Sequence, residues 1–433
     1  MDEYLNLVRR ALANGSYEEN RTKEETIATF SQDYSIDVGE GYPLLTTKQM
    51  DTFRWDSMLH EVEWYLSGQH HVRDLTEHTG IWDAWSDEDN NLPSAYGRFW
   101  RRYPVPEASS QLPGEDWISR DSQWTNYETP INVEFAFGRR EDNVLRNATE
   151  RLEDLGDSLS DVKMYFDKPK KSVTEDYQKV QFPIRIVEGS GDNVGTVVEE
   201  IQQNVNPYNV ELGDSYLTYD QLKFNVDALK GENPHRGPES RRLIVQAWHP
   251  SNAQVSSLPP CHYTFVFNVQ GGKLNLHLTQ RSADIALGVP FNIAAYSLIL
   301  KLVARETGYD VGQFSHSLVD AHVYCGHGER SKWYEENIED LQIRVSNVED
   351  RDGYSSIREW ILSQGPSDSE EEASEHNYGY DHVPGLLEQL SREPKHRSHL
   401  EIADGTTIQN ASYDDFDLTE YECYDGIGFS VAE

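Results

Sequence analysis

The sequence predicts an α/β (α+β) chain, and three observations carry that expectation. Apolar residues recur at helical spacing in some stretches and alternate in others. The aromatic count is high, with 10 Trp, 24 Tyr and 14 Phe, far more than a chain without a core would carry. The 433 residues are enough for one large domain or a few ordinary ones.

The elements follow in order. Tyr4, Leu5, Val8, Ala11 and Leu12 mark a helix that Asn14-Gly15 should end. Thr26 to Val38 reads as a strand, and Trp55 to Leu66 as a helix with Leu59, Val62 and Leu66 on one face. Residues 81–100 read as loops or short helices. From 104 to 218 the pattern changes to an excursion with its own structure. Ile131, Val133, Phe135 and Phe137 alternate as in a half-buried strand. Val144 to Leu155 reads as a helix, Pro183 to Val187 as a short strand, and Thr196 to Val205 as another helix. The main pattern resumes with a helix to Ala228, then strand-like Leu243 to Ala247 and Tyr263 to Val269. Leu298 to Thr307 reads as an apolar helix closed by Gly308. A second, acidic excursion spans 330–385, with a helical Ile357 to Leu362 and a solvated run, Ser367-Asp368-Ser369-Glu370-Glu371-Glu372.

Charge and composition narrow the setting. Against 75 Asp and Glu stand 38 Lys and Arg, a net charge of −37. The acid is spread along the whole chain, which favours adaptation to a salty cytoplasm over a patch for a basic partner. Such acidity also argues against DNA binding. No run of 18 apolar residues suggests a membrane span. Three cysteines are too few for a disulfide framework, and the N-terminal residues do not read as a signal peptide. A cytoplasmic protein is expected.

The densest chemistry lies between Cys261 and Tyr324. Cys261 follows Leu258-Pro259-Pro260 and precedes a strand. Thiolates are nucleophiles, and nearby arginines favour them; Arg281 is close in sequence, and Arg241 and Arg242 precede another strand. Arginine forks also match phosphate oxygens. Asn292 can donate and accept at once, so it suits an amide-like edge such as uracil. His322 and Tyr324, two apart on a strand, share a face and suit a sugar hydroxyl.

These residues, with Asn20-Arg21-Thr22, Tyr42-Pro43-Leu44-Leu45-Thr46-Thr47-Lys48, His60-Glu61, Leu66-Ser67-Gly68, Trp82-Asp83, Tyr96-Gly97, Gln280-Arg281-Ser282-Ala283-Asp284 and Gly288-Val289-Pro290-Phe291-Asn292, closely resemble the thymidylate synthase family. With both excursions removed, the match runs nearly end to end. The resemblance implies a three-layer α/β fold around a mixed, largely antiparallel sheet, within a single family domain. It implies a homodimer packed sheet to sheet, and reductive methylation of dUMP to dTMP. 5,10-Methylenetetrahydrofolate would supply carbon and hydride, with no metal and no nicotinamide.

Carried over, the resemblance makes Cys261 the nucleophile toward C6, with Glu61 and Tyr96 as catalytic partners. Arg21, Gln280, Arg281, Ser282, Asp284, Asn292, His322 and Tyr324 would bind dUMP, joined by Arg241 and Arg242 from the second subunit. Trp82, Trp85, Asp284 and Ala432 would contact the folate. Three positions depart from the family pattern. Thr22-Lys23-Glu24-Glu25 replaces a Gly-rich turn, Val319 replaces a small residue, and the tail ends Ser430-Val431-Ala432-Glu433. The competing readings are a deoxycytidylate hydroxymethylase, which would favour an acid in place of Asn292, and a non-catalytic nucleotide- or RNA-binding relative.

Overall fold

The structure is a computed structural model. It describes residues 1–20, 24–69, 71–88, 90, 92, 94–101, 103–104, 131–135, 162–166, 170–174, 177–188, 197–205, 215–233, 236–250, 253, 256, 258–366 and 376–431. The chain forms two compact units, one of residues 1–101 and 221–433, the other of residues 102–220.

In the first unit, alternating sequence becomes a mixed sheet. Its strands are β1 (Ser16–Glu18), β2 (Thr26–Asp37), β10 (Ile244–Gln246), β11 (His262–Gln270), β12 (Lys273–Gln280), β13 (Ala283–Asp284) and β14 (Asp310–Tyr324). The spatial order is β1-β2-β14-β12-β11-β10, with β13 beside the far end of β14. β12 and β13 run parallel to β14, and the other pairings are antiparallel. The expected fold class is therefore met. One face of the sheet buries Leu274, Leu276 and Leu278 of β12 with Phe314 and Leu318 of β14. β12 and β14 lie against α5 (Gly288–Thr307), whose Ile293, Leu298, Ile299 and Leu302 are buried.

Helix α5 starts ten positions before the expected Leu298. Pro290 does not break it, because a first-turn residue has no intrahelical N–H partner to lose. Asp284 Oδ1 accepts the N–H groups of Ala286 (2.8 Å) and Leu287 (3.1 Å), which sets the approach to the helix. Gly308, at φ 77°, ends it in the left-handed conformation. Helices α1 (Asp2–Asn14), α2 (Phe53–Ser67), α3 (Tyr96–Arg101) and α4 (Gln221–Lys230) complete the packing close to the expected positions.

Residues 330–385 include α6, which spans Glu329–Ser346, α7 (Arg351–Gln364) and the start of α8 (His382–Ser391). These helices pack on one another and on α1. A buried ion pair joins Arg330 to Asp381 at 2.7 Å, and Tyr334 donates to the same carboxylate. Strands β15 (His399–Ile402) and β16 (Phe416–Thr419) form a separate antiparallel pair.

In the second unit, β3 (Tyr103–Pro104) and β4 (Ile131–Phe135) flank β9 (Ser215–Tyr219). A second sheet there centres on β7 (Tyr177–Glu188), joined to β5 (Val162–Phe166), β6 (Lys170–Thr174) and β8 (Val197–Val205). The expected helix over Thr196–Val205 is thus corrected to a strand. Val197, Val198, Ile201 and Val205 are all β-branched. Their β-branched side chains favour the strand. The short strand expected at Pro183–Val187 is part of the longer β7. Phe137, the helix expected at Val144–Leu155 and the acidic run 367–375 lie outside the described residues.

Candidate active site

The sheet topology gathers the site. β12 and then β13 follow β14 in parallel, so Gln280 lies opposite Leu318 and Asp284 opposite His322 on the way to Tyr324. Gln280 closes β12, Asp284 pairs with His322 across β13 and β14, and Tyr324 closes β14. The His322 and Tyr324 rings lie 5.2 Å apart, as the shared strand face predicts. His322 Nδ1 is 3.2 Å from Asp320 Oδ1. Gln280 is buried; its amide donates to Ser282 O (3.3 Å), and its oxygen meets His316 Nε2 at 2.6 Å.

Cys261 sits half-buried where the Pro-Pro turn enters β11, and all three cysteines of the chain are thiols. Arg281 N donates to Cys261 O at 2.9 Å. The Arg281 guanidinium donates to Pro259 O (2.7 Å) and Pro260 O (3.1 Å), so one arginine fixes the whole turn and brings its charge beside the thiol loop. The Cys261 N–H donates to the Tyr96 hydroxyl at 2.9 Å.

Tyr96 reaches the turn because α3 presses against α2. A Cβ on Gly97 would lie 2.2 Å from Tyr65 O, so the approach depends on glycine. The Tyr96 ring stacks on His262 at 3.6 Å and meets Trp82 edge-on at 5.8 Å. Burial keeps the Tyr96 phenol well above its usual pKa, with the nearby Cys261 adding to the rise. His262 is also buried; burial drops its pKa to about 3, so the ring is neutral at physiological pH. Its Nδ1 meets Tyr296 Oη at 2.6 Å.

Glu61 is buried in the same aromatic cluster. Its Oε1 accepts from Tyr65 Oη (2.6 Å) and Trp82 Nε1 (2.8 Å). Burial raises its pKa, and the two hydrogen bonds partly oppose the rise. A buried carboxyl of raised pKa inside an aromatic wall is equipped to move protons. Trp85 is half-buried, 5.8 Å from Trp82.

Of the other expected site residues, Asn292 lies half-buried near the start of α5, and Ser282 is half-buried between β12 and β13. Arg241 and Arg242 stand exposed on the turn into the edge strand β10. Arg21 and Ala432 lie outside the described residues. Sequence reasoning gave no role to His262, Tyr65, Tyr296 or Lys48. Lys48 is fully buried, donates to Ala286 O at 2.8 Å, and burial lowers its pKa to about 7. Its place in the Thr46-Thr47-Lys48 run is the sequence signal for it. Among the described residues no cluster of His, Cys, Asp or Glu is arranged to hold a metal, and no helix is long and apolar enough to cross a membrane.

The site thus places a thiol on an arginine-held turn beside a buried carboxyl and an aromatic wall. Comparison with known proteins gives the family. The thymidylate synthase pattern matches residues 2–433. The thymidylate synthase of the halophilic archaeon Haloferax volcanii is 42% identical over 429 residues, covering 99% of this chain and 96% of its own. The chain belongs to the thymidylate synthase family, whose members are methyltransferases of nucleotide biosynthesis.

Proposed function

We propose that this chain converts dUMP to dTMP by reductive methylation with 5,10-methylenetetrahydrofolate. The observation that carries the proposal is the link from Cys261 through Tyr96 to the cluster holding Glu61 and Trp82. Cys261 Sγ forms a bond to C6 of the uracil, and the electron pair of the C5=C6 bond makes C5 nucleophilic. Glu61 manages proton transfer near the base. The sulfur leaves again when the C5=C6 bond is restored. Arg21, Arg281 and Ser282 hold the phosphate, Gln280 and Asn292 meet the base, and His322 and Tyr324 hold the ribose hydroxyl.

The residues present suit the folate. The Trp82 and Trp85 indoles offer flat apolar faces to a fused heterocycle, and Asp284 offers a carboxylate to its N–H groups. When bound, this co-substrate supplies the one-carbon unit and the hydride. Ala432 belongs to the tail that would contact it.

The working form is a homodimer in the cytoplasm, with Arg241 and Arg242 reaching the partner's phosphate site. Exposed apolar side chains on the sheet support a partner there: Phe30 of β2 is 83% exposed, and Ile244 and Val319 also face solvent. The net charge of −37 argues against DNA as a partner.

The test is dihydrofolate formation from dUMP, followed by absorbance at molar KCl. Wild type should turn over, while Cys261→Ser should bind dUMP by calorimetry and lose several orders of magnitude in rate. A serine variant within tenfold of wild type would remove Cys261 as nucleophile. A wild-type enzyme without dihydrofolate formation would overturn the proposed function.

A further inference from the structure

The C-terminal segment is clasped by the chain that joins α7 to α8. Gly428 pairs with Asn377 in a parallel bridge. Tyr378 N donates to Gly428 O (3.1 Å), Gly428 N to His376 O (2.8 Å) and Ser430 N to Gly379 O (2.8 Å). Segments near a terminus fray unless their backbone groups are tied down, and here they are tied.

The clasp is itself fastened at one side chain. The Tyr378 hydroxyl accepts from Arg358 Nε of α7 at 2.6 Å and donates to Glu388 of α8. Glu388 is buried and also pairs with His376 (2.7 Å) and Arg392 (2.5 Å). One carboxylate thus joins α7, α8 and the clasping segment.

Beneath the clasp lie groups that support the candidate active site. The Phe429 ring is 4.7 Å from the His382 ring and 5.2 Å from Lys48 Nζ. A Cβ on Gly385 would come within 2.5 Å of the Phe429 ring, so α8 leaves space for it only by carrying glycine there. His382 Nε2 meets Ser430 O at 3.0 Å, and its Nδ1 is 3.8 Å from Asp284 Oδ1. The His382 ring also meets Tyr324 edge-on at 5.4 Å. Lys48 holds the carbonyl of Ala286, two residues after Asp284.

We propose that Tyr378 is a positioning residue: fixed between Arg358 and Glu388, it holds Gly428–Ser430 on Lys48 and His382, and so sets Asp284 and Tyr324 for the ligands. The proposal rests on the substrate reading given above for the ligands' identity. It assigns to residues 376–381 a task in the reaction, exerted through the tail.

Full-length Tyr378→Phe, Arg358→Gln and Arg358→Lys test it. Hydrogen exchange of C-terminal peptides, followed by mass spectrometry at molar KCl without ligands, reads the clasp directly. Tyr378→Phe and Arg358→Gln should speed exchange around Gly428 and Ser430 by about tenfold or more, while Arg358→Lys stays near wild type. In the assay, the first two should raise KM for dUMP and for the folate several-fold, with melting temperature nearly unchanged. A merely structural role would lower melting temperature and kcat and leave both KM values in place, and that result overturns the proposal. Unchanged exchange overturns the clasp, and faster exchange with unchanged KM overturns its link to the ligands. A wild-type enzyme that forms no dihydrofolate defeats the substrate reading instead, and the exchange comparison still decides the clasp.

Discussion

The Tyr96 hydroxyl accepts a hydrogen bond from the Cys261 backbone N–H at 2.9 Å, across 165 residues of sequence. This bond fixes the thiol's own peptide against the wall that contains Glu61. Tyr96→Phe keeps the ring and removes the acceptor. A buried donor left unpaired costs about 1–3 kcal/mol. If that cost falls on the reactive geometry, kcat drops roughly 10- to 100-fold. Steady-state kinetics beside a melting curve checks this; a rate within twofold of wild type would show that the turn is held without Tyr96.

Glu61 gives a pH prediction. Its folded-state pKa is raised by burial, so the folded protein binds the proton more tightly than the unfolded chain. Its favourable contribution is complete below the ordinary carboxyl range and is lost as pH rises through the raised value. Glu61→Gln lacks this titration. Its stability should gain on wild type across that window, while turnover falls by about 10²- to 10⁴-fold. Melting temperatures measured against pH at fixed salt should therefore converge at the acid end. Parallel curves would mean that Glu61 is not the titrating group.

Asn292 is expected to read the base. An amide matched to uracil leaves a group unpaired against cytosine. Asn292→Asp should weaken dUMP use and improve dCMP use. Competition between the two nucleotides measures this, and an unchanged preference would place base recognition elsewhere.

Arg241 tests the shared site. Cys261→Ser and Arg241→Glu, each nearly inactive alone, should regain activity when their subunits exchange. One site in each heterodimer then carries both lesions and the other carries neither. No gain over the parents after exchange would exclude action in trans.

Salt tests the charge. At a net charge of −37, self-repulsion opposes compaction in dilute buffer. At 1 M salt the screening length is about 3 Å. Melting temperature and activity should rise together from low to molar KCl. A flat melting profile would favour a basic partner as the reason for the acidity.

What the sequence revealed depended on how locally the information was written. Cys261, Gln280, Arg281, Asp284, His322 and Tyr324 were legible because they fall in short runs of chemically matched residues. The assembly of the wall behind them was not, although Tyr96 itself stands in the Tyr96-Gly97 motif. His262, Tyr296, Tyr65 and Tyr96 meet as rings from four elements, and only the packing of α2, α3, α5 and β11 brings them together. The clasp on Gly428 was hidden for a related reason, since backbone hydrogen bonds leave no mark in side-chain identity. The strand at Val197–Val205 reads as a helix from apolar spacing, and its β-branched content is the signal that favours the strand. The start of α5 lies ten positions before the continuous apolar run that marks the helix in the sequence.

The sheet places a demand on the order in which the protein is made. Thr29 of β2 bonds to Ala321 of β14, 292 residues later. At about 5–20 residues per second, a ribosome needs on the order of 15–60 s to span that gap. Throughout that interval β2 has been translated but its partner on the β14 side has not, and Phe30 travels with an unpaired strand edge. The nascent chain must survive this wait, so synthesis speed and chaperone access, as well as the final contacts, govern how much enzyme a cell obtains.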